Sequence, residues 1–139
     1  MKGIVPTVGV LVFKNDSVLL VCHKEGASHL TDTYGLPSGR IKESESEKEA
    51  AVRELLEETG LVTQAGYLIE FPHNFYQASI ERKEGEVTNF SWRVFLVQQF
   101  SGELKESEET KPEWVSVAEI GRYNLLSNVY DAIQVGLKF

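Results

Sequence analysis

Apolar residues recur along the chain at two different spacings, and the switch between them marks out the elements. Residues 4–13 and 17–23 are dominated by valine, leucine and isoleucine, with Asn15-Asp16 between them. Two β-branched runs around such a pair read as strands joined by a hairpin turn. The stretch GASHLTDTYGLPSGR that follows is polar and glycine-containing, with one short extended piece at Tyr34–Leu36. The period then changes. Ala51, Val52, Leu55, Leu56 and Thr59 fall on one stripe at helical spacing, which predicts a helix from about Ser46 to Thr59. Ser46 followed by Glu49 makes a capping box, and Gly60 stands where a left-handed C-terminal cap is wanted.

Beyond the helix, alternation returns. Residues 65–71 and Phe75–Ile80 read as two strands, and Val87–Phe100 as the strongest one. In that last segment Phe90, Trp92, Val94 and Leu96 alternate with Asn89, Ser91, Arg93 and Phe95. Glu81–Glu86 is a charged turn, Ser101–Pro112 an acidic loop and Glu113–Val117 a short strand. Ser116 with Glu119 forms a second capping box that would start a short helix. A final helix is expected over Asn128–Leu137, with Val129, Ile133 and Leu137 on one face. Strands and helices mix without regular βαβ alternation, which predicts an α+β fold.

Composition narrows the function classes. A chain of 139 residues with 42% hydrophobic and 25% charged side chains is ordinary for one globular domain. No linker or internal repeat divides it, so residues 1–139 are expected to form a single domain. The single cysteine, Cys22, excludes an intramolecular disulfide and fits a reducing compartment. The apolar start MKGIVPTVGVLVF is too short and too β-branched for a signal peptide or a membrane helix, so a cytoplasmic location and no membrane partner are expected. A formal net charge of -7 gives no general attraction to a nucleic-acid backbone, which argues against DNA as a partner.

The chemistry concentrates on the first helix. RELLEETG places Glu54, Glu57 and Glu58 within one and a half turns, where like charges repel. Read alone, such a cluster is a solvated face. Its register with residues upstream changes the reading. Gly39 is followed after five residues by Glu45, and seven residues later come Arg53-Glu54-Leu55, Glu57-Glu58 and Gly60-Leu61. This resembles the box of the Nudix (MutT-like) hydrolase family, G-x5-E-x7-R-E-U-x-E-E-x-G-U with U aliphatic, at every fixed position.

The resemblance implies an α/β/α sandwich with a mixed central sheet, in which the box over residues 39–61 forms a loop–helix–loop that holds Mg²⁺ or Mn²⁺. It implies Glu54, Glu57 and Glu58 as metal ligands, with the Gly39 carbonyl as a further one, and Arg53 orienting a glutamate. Glu57 is also a candidate for the catalytic base. A structural salt bridge fits Glu45 equally well. Some members of the family take the base from a loop outside the box, and GELKESEET offers Glu103, Glu106, Glu108 and Glu109. Glu103, next to Gly102, is the choice at the end of the long strand, against a solvated loop residue as the alternative. The usual glycines are replaced by Ser38 and Ser44, and Lys42 stands where an acid is common; Lys42 is either a phosphate contact or a surface lysine.

Family members hydrolyse a nucleoside diphosphate linked to another group. The substrates implied are a (d)NTP or a nucleotide sugar such as ADP-ribose, with RNA 5′-end trimming or non-catalytic nucleotide sensing as rivals. Many members are dimers. Tyr76 and Pro72 lie just off the positions that mark two subfamilies. His73, Phe75, Tyr76, Trp92 and Phe95 offer base-stacking surface, although strand aromatics, Trp92 above all, more often fill cores. Arg82 or Arg93 would meet a phosphate or ribose, or form a strand-face salt bridge. His23 and His29 have no ligand partner at metal spacing and carry no assigned role.

Overall fold

The computed structural model describes residues 3–25 and 30–139, without the side chains of residues 71–75. His29, and the side chains of Pro72, His73 and Phe75, therefore lie outside the described residues. The elements in chain order are β1 (Val5–Leu11), β2 (Phe13–Lys14), β3 (Ser17–His23), β4 (Tyr34–Gly35), β5 (Ser38–Arg40), α1 (Glu47–Thr59), β6 (Leu68–Glu81), β7 (Val87–Val97), β8 (Thr110–Ser116) and α2 (Val129–Gly136), with 3-10 turns at Ala65–Tyr67 and Val117–Arg122.

One sheet runs β5-β1-β7-β6. Its β1–β7 pair is parallel while β5–β1 and β6–β7 are antiparallel, so the sheet is mixed. Strands β2, β4 and β8 surround β3 in a second sheet. Two cores cover the two faces of the first sheet. Val8, Val10 and Val12 of β1 and Phe95 and Val97 of β7 pack with Ala50, Ala51 and Leu55 of α1. On the other face Leu11 and Val94 meet Val18, Leu20, Leu36 and Val115, closed by Val129, Ala132 and Ile133 of α2.

Helix α1 follows its local signals. The Ser46 side chain accepts from the Glu49 amide, the Glu49 side chain accepts from the Ser46 amide, and Gly60 takes the left-handed conformation at φ 84°. The buried stripe is Ala50, Ala51, Leu55 and Thr59, whereas Leu56 is 52% exposed. Two alanines at the interface let the helix lie close to the sheet.

Other expectations shift where pairing overrides local pattern. The strands expected at 65–71 and Phe75–Ile80 are one strand, β6, preceded by the 3-10 turn. Its register against β7 slips between Glu70 and Phe75. Pro72 sits on this edge strand, where a missing N–H breaks no ladder. Phe95, grouped with the polar positions by alternation, is buried under α1, because β7 is covered on both faces. The strand expected at Glu113–Val117 begins earlier, at Thr110, since β8 pairs with β3 as far as His23. Ser116 forms no capping box. It ends β8 opposite Ser17, and the Val117 amide donates to the Asp16 carbonyl. Among the described residues, no helix is long and apolar enough to cross a membrane.

Candidate active site

A cavity of about 540 Å³ lies on the α2-facing side of the first sheet and reaches the outer face of α1. This falls within the range usual for small-molecule sites. Side chains two residues apart on a strand share a face, and the lining follows that rule. Ser38 and Arg40 come from β5, Thr7 from β1, Phe90 and Trp92 from β7, and Ala78 and Ile80 from β6, with Arg82 just beyond. Glu54, Glu57 and Glu58 enter from α1, Glu108 and Glu109 from the loop before β8, and Leu126 and Asn128 from the segment before α2.

Arg53 organises the carboxylate end. Its Nε and Nη2 donate to the two oxygens of Glu45 at 2.7 and 2.9 Å, a bidentate pair, and Nη2 also reaches the Arg40 carbonyl at 2.9 Å. Its Nη1 donates to Glu54 at 2.6 Å and to Glu57 at 3.2 Å. Such charge-assisted forks fix geometry as well as adding energy. The guanidinium holds the Glu45 carboxyl down at about 2, helped by the Lys42 amide. Glu45 is thus the anchor of Arg53. Lys42 points its side chain to solvent and does not line the cavity.

The three helix glutamates sit in different surroundings. Glu57 is 51% exposed at the mouth, while Glu54 is 12% exposed. A Cβ on Gly39 would fall 2.1 Å from the Glu54 carboxyl carbon, so only glycine leaves space for that side chain. Glu58 is half-buried, with its carboxyl enclosed, and accepts from the Ser38 amide at 2.6 Å. Burial, with the charges of Glu54, Glu109 and Glu57, pushes its carboxyl up to about 8 against the pull of that amide.

Among the described residues no three carboxylate, imidazole or thiol groups converge closely enough to hold a metal ion as they stand. Glu54 is drawn to Arg53 and Glu58 to Ser38. The donor set nonetheless fits a hard divalent cation, which takes carboxylate and carbonyl oxygens. A buried carboxylate surrounded by three others is the electrostatic arrangement that such a cation relieves.

The sequence-based site residues divide. Gly39, Glu54, Glu57 and Glu58 come together at the cavity, with Arg53 behind them. Glu103 does not join them. It is exposed outside the cavity, with its carbonyl against Gly60, whereas Glu108 and Glu109 of the same loop line it. Glu106 pairs with Lys24 at 2.6 Å. Arg93 lies on the α1 face and bridges Glu47 and Glu70, the bland alternative for that residue. Phe95 is core and Tyr76 packs against Trp92 without lining the cavity, while Trp92 and Arg82 do line it. His23, assigned nothing by spacing, lines the cavity with its Nδ1–H donating to the Thr33 carbonyl at 2.9 Å. Only strand pairing reveals that position, since it sets His23 opposite Thr110 of β8, which also lines the cavity.

The chain is similar to known proteins in sequence and in fold. The chain is 27% identical over 117 residues to the 8-oxo-dGTP diphosphatase of Escherichia coli, covering 84% of this chain and 83% of that protein. It is 30% identical over 108 residues to the ADP-ribose pyrophosphatase of Methanocaldococcus jannaschii, covering 76% of this chain and 59% of that one. The MutT Nudix hydrolase structure from Burkholderia pseudomallei superposes with a TM-score of 0.79 at 19% identity, over 96% of this chain and 98% of the other, a likeness of fold. Members of this family generally use divalent metal ions. The NUDIX domain model matches residues 3–134, taking in both cores and the whole carboxylate end of the cavity, and the chain therefore belongs to the Nudix hydrolase family.

Proposed function

We propose that this Nudix hydrolase cleaves a nucleoside triphosphate to the monophosphate and pyrophosphate, with Mg²⁺ as its cation. The observation that carries the reading is the two-ended cavity. Glu54, Glu57, Glu58 and Glu109 line one end, and elsewhere Leu36, Phe90, Trp92 and Leu126 give an apolar wall beside the polar Thr7, Arg40 and Arg82. A polyphosphate approaches four carboxylates only with divalent cations between them, and an apolar wall suits a nucleobase. Bound Mg²⁺ would neutralise the phosphates and acidify an attacking water.

The protein's own residues then have defined work. Glu54, Glu57 and Glu58, with the Gly39 carbonyl, would hold the cation, and Glu58 must lose its proton to do so. Arg53, fixed by Glu45, keeps Glu54 and Glu57 in place. The proton of the attacking water passes to a carboxylate at the cavity. That Glu109 and Glu57 line the cavity while Glu103 does not supports one of these two as the acceptor. A triphosphate is favoured over ADP-ribose by the near end-to-end match with the 8-oxo-dGTP diphosphatase. The free cysteine supports a reducing, cytoplasmic setting. Assembly as a homodimer rests on the family resemblance alone.

The test is a panel of NTPs, oxidised NTPs, ADP-ribose and other nucleotide sugars, assayed with Mg²⁺ for pyrophosphate and AMP. Pyrophosphate release from a triphosphate at the highest kcat/KM is expected. Preferred release of AMP from ADP-ribose would move the substrate to the nucleotide sugars, and no turnover at all would remove the hydrolytic reading.

A further inference from the structure

Trp92 lies in an unusual way across the first sheet. Its backbone belongs to β7, opposite Thr7 of β1. Its indole, however, leans over Gly9: a Cβ built on that glycine would fall 2.5 Å from Nε1 and 2.6 Å from Cε2 and Cζ2. Gly9 is paired in turn with Ser38 of β5. The indole therefore crosses the whole width of β1, and its Nε1–H donates to Ser38 Oγ at 3.2 Å. The same hydroxyl donates to the Leu36 carbonyl at 2.9 Å, which leaves its lone pairs facing the indole.

The consequences for the ring are specific. One side rests on the glycine backbone, the edge is pinned by Ser38, and Tyr76 packs at 5.7 Å and 51° from the neighbouring strand. Trp92 also lines the cavity, so the side turned away from Gly9 is the one presented to it. We propose that Trp92 is the stacking platform for the planar base of the substrate, and that Ser38 is a positioning residue that sets the plane of the ring. The inference rests on the nucleotide reading of the cavity. It also gives Ser38, which stands in place of a usual family glycine, a role: its hydroxyl anchors the platform while its amide holds Glu58 at 2.6 Å. The base and the carboxylates are thus referenced to one residue.

Base–aromatic stacking converts to roughly a 5- to 150-fold change in affinity. In Trp114→Phe protein, which leaves Trp92 as the sole indole, added nucleotide is expected to quench the emission. Inorganic tripolyphosphate, which has no base, should leave it unchanged. Trp92→Leu should raise KM for the nucleotide within that range and leave inhibition by tripolyphosphate unaltered, whereas Trp92→Phe retains a ring and restores part of the loss. Ser38→Ala should raise KM several-fold on its own and have no further effect in the Trp92→Leu background. Nucleotide turnover without quenching, with KM unchanged in Trp92→Leu, overturns the platform and leaves the hydrolase reading standing. Equal loss of nucleotide and tripolyphosphate binding in Trp92→Leu also overturns it, because the damage is then structural. Quenching without turnover supports the platform and removes the hydrolytic reading instead.

Discussion

Arg53 does not itself line the cavity, yet three glutamates depend on it, and its fork-shaped guanidinium is what lets one side chain serve Glu45, Glu54 and Glu57 together. A lysine keeps the charge and loses the fork. Arg53→Lys is therefore expected to lower kcat/KM by about 10- to 100-fold, the usual cost of disturbing a group that orients metal ligands. Glu45→Gln should fall in the same range. Initial rates across a Mg²⁺ titration check this, and wild-type rates in both variants would remove the positioning role. His23 behaves differently. Burial, ahead of the charges of Arg82 and Lys83, pushes its pKa below the ordinary 6.5, against the Thr33 carbonyl. The folded state then binds fewer protons than the unfolded one below about pH 6.5, so stability is lost as pH falls through that value. Urea midpoints at about pH 8 and about pH 5 should drop further for wild type than for His23→Gln; equal drops would exclude His23 as the group responsible. The two residues also differ in how far sequence betrays them. Arg53 stands at fixed spacing from its partners along one helix and loop, whereas His23 reaches the cavity only through a strand pairing.

Helix α1 carries its own instructions, and for that reason it is the most legible element. Cap, stripe and stop are all local: Ser46, Glu49 and Gly60 act within a turn of themselves. Ser46→Ala should cost about 1 kcal/mol. Gly60→Ala forces a left-handed conformation on a residue with a Cβ, which would also meet the Glu103 carbonyl at 2.6 Å. The expected cost is about 1–3 kcal/mol, read as a shift of the denaturant midpoint at unchanged slope. A shift below that of Ser46→Ala would mean that the loop at Glu103 yields freely. Strand β6 is the opposite case. Its two halves look separate in the sequence because the pattern breaks between Glu70 and Phe75, where the register against β7 slips. Ser116 misleads for a related reason: the motif is present, but pairing with Ser17 holds the residue as the end of a strand. Local signals decide where nothing competes with them, and pairing decides elsewhere.

At the scale of the whole molecule, the two-sided core explains why an acidic protein tolerates carboxylates in a cavity. The sheet is clamped between α1 and α2 by separate clusters of buried side chains, so the carboxylate end is held rigidly although its charges repel. The box spacing made that end legible in advance. Of the wall of Phe90, Leu126 and Trp92 only Trp92 stands among the stacking candidates, because the wall is assembled from a strand and a segment far apart in the chain. Function and stability should therefore oppose each other at Glu58, whose buried carboxylate costs the fold when no cation faces it. At about pH 8, where much of this group is charged, Glu58→Gln is expected to raise the stability of metal-free protein by about 1 kcal/mol. The amide oxygen of glutamine can still accept from Ser38, so the local backbone has no reason to move. Adding Mg²⁺ reverses the order. A cation bound only by the folded state stabilises it by about 2.7 kcal/mol at a hundred times its dissociation constant, which for a domain of this size is roughly 8 to 12 °C in Tm. Wild type should gain this increment and Glu58→Gln should lose most of it, so their melting curves are expected to cross as Mg²⁺ is added. A variant that gains as much as wild type would place the cation away from Glu58, and a variant less stable without metal would mean that the fold itself needs the carboxylate.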